Sequence, residues 1–290
     1  MCVAFGPDRK SGTIKVIEAF GPPDVAGKTV LVKPNFNTAD PAPGSTHNDT
    51  LETVVRIVMA GGAKSLTVGD RSGPANTREV FHEKGVFEMS ERLGFETVIF
   101  DEMPKSGYAR VDPPGSHWRD GFLIAKPLLE ANAVITLCCL KTHGFGGHFT
   151  MSLKVTTGML AAMNMRELHS SNHIREMIAE MNLAYRPRLI VMDGVEAFVE
   201  GGPMTGTRWQ ANLTLASDDR VAIDAVGLAA LKMHGTTKAI ESARIFGQDQ
   251  IRRAAELGIG VSRAEDIEVV PVDDASNEVV DRLREILTNS

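Results

Sequence analysis

Short β-branched runs alternate with stretches of helical spacing along most of the chain. Val30-Leu31-Val32 reads as a buried strand closed by Lys33-Pro34-Asn35. Leu51, Val54, Val55 and Val58 fall on one face of a helix over 49–60, which Gly61-Gly62 ends. A strand over 65–68 closes at Gly69-Asp70, a helix over 77–93 is broken at Gly85, and a third strand runs over 97–100. Phe122-Leu123-Ile124 is a short strand, and 133–138 forms the most apolar one. Helices are expected over 150–163 and 172–184, the second capped by Ser171 or Asn172. Strands follow at 189–192, closing on Asp193-Gly194, and at 213–216. Asp218 is then placed to cap an apolar helix over 221–231. Helices at 251–257 and 279–287 flank a last strand at 267–270. Strand, helix, strand at these spacings predicts βαβ units. Apolar runs without alternation fit strands covered on both faces. The expected fold is α/β, a mainly parallel sheet with helices on both faces. Residues 1–290 read as one domain, with a division into two lobes left open.

Composition narrows the partners. The chain has 290 residues, 43% apolar and 23% charged, and carries 31 Lys and Arg against 37 Asp and Glu, a net charge of −6. A disordered or fibrous chain is excluded, and nucleic acid is not an expected partner. No apolar run reaches the roughly 18 residues a membrane span needs. The start of the chain is too short in apolar residues for a secretory leader, so the expected location is cytoplasmic. Three cysteines, Cys2, Cys138 and Cys139, argue against a disulfide framework, and no C-x-x-C is present. Adjacent Cys138 and Cys139 point to opposite faces of a strand and read as core residues.

Candidate chemistry gathers where strands end. Ligands of open α/β sheets bind outside the carboxyl ends of the strands. Lys33-Pro34-Asn35, Gly69-Asp70, Lys141-Thr142-His143 and Asp193-Gly194 would meet there. The competing reading of each is turn and cap chemistry, which Asp and Asn favour on their own. The segment from Lys141 to Lys154 is the richest. Gly144, Gly146 and Gly147 let backbone approach a ligand, and Thr150 is placed to open a helix whose first turn would favour an anion. Lys141, His143 and Lys154 add donors and charge; a flexible surface loop is the bland alternative. His169 and His173, four apart, are candidate metal ligands, with Asp70 as a hard third. Gly201-Gly202-Pro203-Met204-Thr205-Gly206 either lines the site or is a long turn. The stretch from Gly21 to Thr29 is not a P-loop: five residues separate its glycines, and it precedes a strand.

The chain resembles the bacterial and archaeal family named domain of unknown function 362. The matching stretches are Val30 to Phe36, Val68-Gly69-Asp70, Leu140-Lys141-Thr142-His143, Thr150 with Ser152-Leu153-Lys154, and Leu168-His169 with His173. They continue with Val191-Met192-Asp193-Gly194, Gly201-Gly202-Pro203 with Gly206, Ala216-Ser217-Asp218, and Ala222-Ile223-Asp224-Ala225. The resemblance covers roughly 28–235. Many members of that family carry an appended ferredoxin-like domain with two cysteine clusters. This chain has neither cluster, so no iron–sulfur cluster is expected within it.

Two functions follow as expectations. The first is an enzyme acting on a small anionic metabolite, a carboxylate or phosphate. Lys141, His143, Lys154 and Asp193 would be its catalytic groups. Lys33, Asn35, Gly146, Gly147, Thr150, Gly201 and Gly202 would bind substrate, and a divalent metal on His169, His173 and Asp70 is an open cofactor. A deeply placed lysine can also act as a base or imine former. The second is a non-catalytic binding or redox-accessory module, motivated by the relatives' ferredoxin domains. A homo-oligomer or a redox protein partner fits either.

Overall fold

The computed structural model describes residues 1–146 and 148–289. Its strands are β1 (Cys2–Phe5), β2 (Thr29–Lys33), β3 (Ser65–Asp70), β4 (Glu96–Ile99), β5 (Tyr108–Val111), β6 (Phe122–Ala125), β7 (Ala133–His143), β8 (His148–Thr150), β9 (Leu189–Gly201), β10 (Gly206–Ser217) and β11 (Val270–Pro271). A nine-stranded sheet runs in the order β11-β1-β10-β9-β7-β2-β3-β4, with β8 paired to β7; β5 and β6 form a separate hairpin. The run β9-β7-β2-β3-β4 is parallel throughout. The chain then folds back antiparallel from β9 into β10, and β1 pairs antiparallel with β10. The fold is therefore α/β with a mostly parallel central sheet.

Alternation along the strands sorts the core into two layers. Leu31 and Val134 point to one face, Val30, Val32, Ile135 and Leu137 to the other. The first layer is closed by the apolar helix Arg220–His234, which is buried from Arg220 to Leu231, and by the helices Ile174–Glu180, Asp249–Glu256 and Asn277–Asn289. Helices Arg9–Phe20 and Asn48–Ala60 cover the second. Asp219 caps helix Arg220–His234, accepting from the N–H groups of Val221 and Ala222 at 2.8 and 2.9 Å, one residue beyond the expected Asp218. Gly85, at φ +64°, separates helices Thr77–Glu83 and Val86–Leu93 as the sequence predicts. Cys138 and Cys139 are both buried, and burial raises the Cys139 pKa to about 11, leaving an inert thiol.

Three expectations about elements are corrected. No helix opens at Thr150. That residue ends β8, paired with Lys141, and only a short turn of helix, Ser152–Val155, and a 3-10 turn, Thr156–Met159, follow. The expected strand over 267–270 is reduced to Val270–Pro271, since a 3-10 turn over Ala264–Asp266 precedes it and the Ile267 N–H is spent on the Ala264 carbonyl. The helix expected from Asn172 begins at Ile174, with Ser171 Oγ accepting from His173 N–H at 3.0 Å.

Candidate functional site

The carboxyl ends of β2, β3 and β7 open onto a cleft of about 700 Å³. Its lining carries Lys33, Asp70, Arg71, His143, Lys154 and His169, together with apolar Phe145, Met165, Ile174, Pro203 and Met204 and polar Asn35, Asn37, Thr157 and Ser171. Lys33 is the last residue of β2 and Asp70 the last of β3. Parallel pairing of the two strands brings the side chains together, Nζ to Oδ1 at 2.5 Å, each residue 1% exposed. Lys33 Nζ also donates to the Pro34 carbonyl at 2.6 Å. Asp70 accepts from the backbone N–H groups of Phe36 at 2.8 Å and Arg71 at 2.6 Å. Burial pushes the Lys33 pKa down and the Asp70 pKa up, while their mutual attraction works against both shifts. Gly158 packs on this pair: a Cβ there would lie 2.6 Å from Asp70 Oδ1 and 2.7 Å from Lys33 Nζ.

Arg71 is held flat against the turn that follows β8. Its Nε donates to the Leu160 carbonyl, Nη1 to Ser72 and Nη2 to Thr157, at 2.9, 3.1 and 3.0 Å. A guanidinium has five N–H donors, so two remain. Lys154, 8% exposed, differs from Lys33 and Lys141: among the described residues no acceptor lies within hydrogen-bond reach of its ammonium. Lys84, 9% exposed, also lacks an acceptor, but it lies outside the cleft with its ammonium over the Phe36 ring. Burial, then the charges of Lys141 and Arg71, lower its pKa to about 8.

His143 stays neutral. Burial, then Lys154, Lys141 and His169, depress its pKa to about 2. Its Nδ1 accepts from Phe145 N–H at 3.1 Å, which puts the ring proton on Nε2. His169 has the opposite tautomer. Its Nδ1 lies 2.8 Å from the Met165 carbonyl, an acceptor only, so Nδ1 carries a proton and, in the uncharged ring, Nε2 is the acceptor. The cleft thus offers a donor imidazole, an acceptor imidazole, one unpartnered ammonium and a guanidinium with spare donors.

The family model described as domain of unknown function DUF362 matches residues 30–229. The chain belongs to this family. A thylakoid-associated protein of Synechocystis is 30% identical over 209 residues, which is 69% of this chain and 62% of that protein, so the chain spans under two thirds of its relative's length. Among solved structures, a Thermotoga maritima protein gives a TM-score of 0.43 at 15% identity, covering 66% of this chain and 50% of the other. The lactate racemase apoprotein of Thermoanaerobacterium thermosaccharolyticum gives 0.45 at 12%, covering 99% and 86%. Among the described residues no helix of this DUF362 chain is long and apolar enough to cross a membrane.

The DUF362 site brings together only part of the set expected from sequence. Lys33, Asn35, Asp70, His143, Gly146, Lys154 and His169 line the cleft. Lys141 does not: its Nζ donates to Asn35 Oδ1 at 3.0 Å and to the carbonyls of Gly44 at 2.5 Å and Pro203 at 3.1 Å. It is a cross-link behind the wall. Asp193 does not reach the cleft either. β9 continues past it to Gly201, and its carboxylate pairs with Arg9 Nε at 3.0 Å and accepts from Thr50 Oγ1 at 3.1 Å. Thr150 is buried in the β7–β8 ladder. Gly201 and Gly202 form the β9–β10 turn, at φ +82° and +79°, where a Cβ on Gly202 would strike the Thr142 carbonyl at 2.2 Å. Their neighbours Pro203 and Met204 line the cleft in their place. Gly147 lies outside the described residues.

The expected anion site at a helix N-terminus is already filled from within. Asp224 accepts from the N–H groups of Ser152 at 2.7 Å and Leu153 at 3.0 Å, and burial raises its pKa to about 7. The metal set also separates. His173 stacks on His117, ring centroids 4.3 Å apart, while Asp70 is engaged by Lys33. Among the described residues no three His, Cys, Asp or Glu side chains converge as ligands. Arg71 was missed from sequence although it directly follows the strand-ending Asp70; its adjacency was the available signal.

Proposed function

We propose that the chain is an enzyme that binds a small anionic metabolite, a carboxylate or a phosphate, and moves a proton on it within the cleft. The observation that carries this reading is Lys154. A buried ammonium without an acceptor is costly, and an entering anion would supply the missing partner. Arg71 adds two N–H donors already oriented by three carbonyls. Neutral His143 presents Nε2–H to an oxygen that gains charge, and His169 Nε2 holds the lone pair that takes a proton.

Calorimetric titration with a panel of carboxylates and phosphates tests the reading. Lys154→Ala is expected to weaken binding by about tenfold to a hundredfold, the worth of one charge-assisted hydrogen bond of about 1.5–3 kcal/mol. Its melting temperature should change little, because the packing lost with the stem is offset by no longer burying an unpaired ammonium. Equal binding by parent and variant would overturn the reading. A pH dependence follows. Lys154 is an ammonium below a pKa of about 8, so carboxylate affinity should be flat at lower pH and decline as pH rises above about 8. A flat profile to pH 10 would show that Lys154 is not the anion's partner.

A further inference from the structure

Three lysines are buried around the cleft, and two are spoken for. Lys33 is paired with Asp70 and Pro34, and Lys141 donates to three acceptors. Lys154 alone faces the cleft without an acceptor among the described residues. Beside it, Arg71 is fixed to three carbonyls with two donors left, and His143 holds a proton on Nε2. Phe145, Met165, Ile174 and Met204 line the same cleft, and about 700 Å³ is far more than a two- or three-carbon acid requires.

From this juxtaposition we infer that Lys154, whose ammonium meets the carboxylate on entry, then gives up a proton to solvent and captures the carbonyl group of an oxo carboxylate with an apolar substituent as an imine, with Arg71 holding the carboxylate. This rests on the anion-binding reading above and names its substrate class. The lone pair of the neutral Lys154 Nζ attacks the carbonyl carbon, and the carbonyl π pair moves to oxygen. His143 Nε2–H donates a hydrogen bond to that oxygen. Both amine hydrogens then leave with the oxygen as water while the C=N bond forms. A proton from solvent, equal to the one the ammonium released before attack, then protonates the imine nitrogen and restores a positive charge in the cleft, and no oxidant or reductant is consumed. The iminium draws electrons from the neighbouring carbon, whose proton lies within the competence of a base such as His169. Burial beside Lys141 and Arg71 keeps a useful fraction of Lys154 neutral, since its pKa is lowered to about 8. The substituent packs against Phe145, Met165, Ile174 and Met204.

The experiment is borohydride reduction of the full chain with phenylpyruvate, followed by peptide mass mapping, with pyruvate and 3-phenylpropanoate alongside. A reduced phenylpyruvate adduct is expected on the peptide carrying Lys154, with Lys33 and Lys141 unmodified and pyruvate trapped at least several-fold less. Lys154→Arg, which keeps the charge, should abolish trapping. Calorimetry with the same acids separates the two readings. Binding of both phenylpyruvate and 3-phenylpropanoate without any adduct would overturn the imine and leave the anion site standing. An adduct on Lys33 or on exposed lysines alone would overturn it as well. No binding of any acid would overturn both.

Discussion

Asp70→Ala is expected to lower stability by about 3–5 kcal/mol, the cost of removing one partner from a buried ion pair. The Lys33 ammonium would remain at 1% exposure with only the Pro34 carbonyl to accept from it. The Phe36 N–H would lose its acceptor, and Arg71 N–H would keep only the Gly158 carbonyl at 3.1 Å. Collapse cannot fill the gap, because Asp70 is held in the ladder to β4 opposite Ile99. At about 2–4 °C per kcal/mol, the melting temperature should fall by roughly 6–20 °C. The pair need not be stabilising relative to an apolar one, so Lys33→Met combined with Asp70→Leu should recover much of the loss. Thermal melting of the three proteins checks this. A single variant that melts with the parent would show that Lys33 does not depend on Asp70.

Lys141→Ala is expected to destabilise by about 2–4 kcal/mol, from three lost charge-assisted hydrogen bonds and the space left by the stem, offset by the desolvation of the cation that is no longer buried. The ammonium ties together Asn35 after β2, Gly44 in the following loop and Pro203 in the β9–β10 turn. Without it, two carbonyls and an amide oxygen are left to find water at a buried place. The urea midpoint should fall with an unchanged slope. Read as an anion contact, Lys141 would instead give a variant with parental stability and weakened binding. That result would show that its cross-link is dispensable. Anion binding by Lys141→Ala, measured well below its unfolding midpoint, should change less than by Lys154→Ala.

The parallel half of the sheet was legible because its strands are unbroken apolar runs that end in turn residues. Thr29–Lys33 and Ser65–Asp70 each finish on a charged residue, and the two strands run parallel side by side, so both ends come to the same edge of the sheet. The cleft at that edge follows from the topology rule for α/β sheets. Strand β1 and helix Arg9–Phe20 were not legible. β1 is four residues long, and the helix buries Gly12 and Thr13 along with Val16 and Ile17. A Cβ on Gly12 would lie 2.7 Å from Thr214 Oγ1, so a glycine lets this helix lie close to the sheet. Small residues do this without leaving an apolar stripe to read.

What the sequence by itself determined is therefore the α/β alternation, the strand ends and the residue types present at them. Periodicity records which face of an element is dry, and that is a local property. Tertiary structure alone decided which lysine is available. Lys33, Lys141 and Lys154 have the same chemistry and similar local surroundings in sequence, each beside a strand or a glycine-rich turn. Their difference lies in acceptors supplied by distant segments: Asp70 for Lys33, Gly44 and Pro203 for Lys141, and none among the described residues for Lys154. Asp193 and Asp224 follow the same rule. One is claimed by Arg9 and Thr50, the other by two backbone N–H groups some seventy positions earlier in the chain. Long-range partners fix both the protonation state and the accessibility of a charge, and no spacing along the chain encodes them.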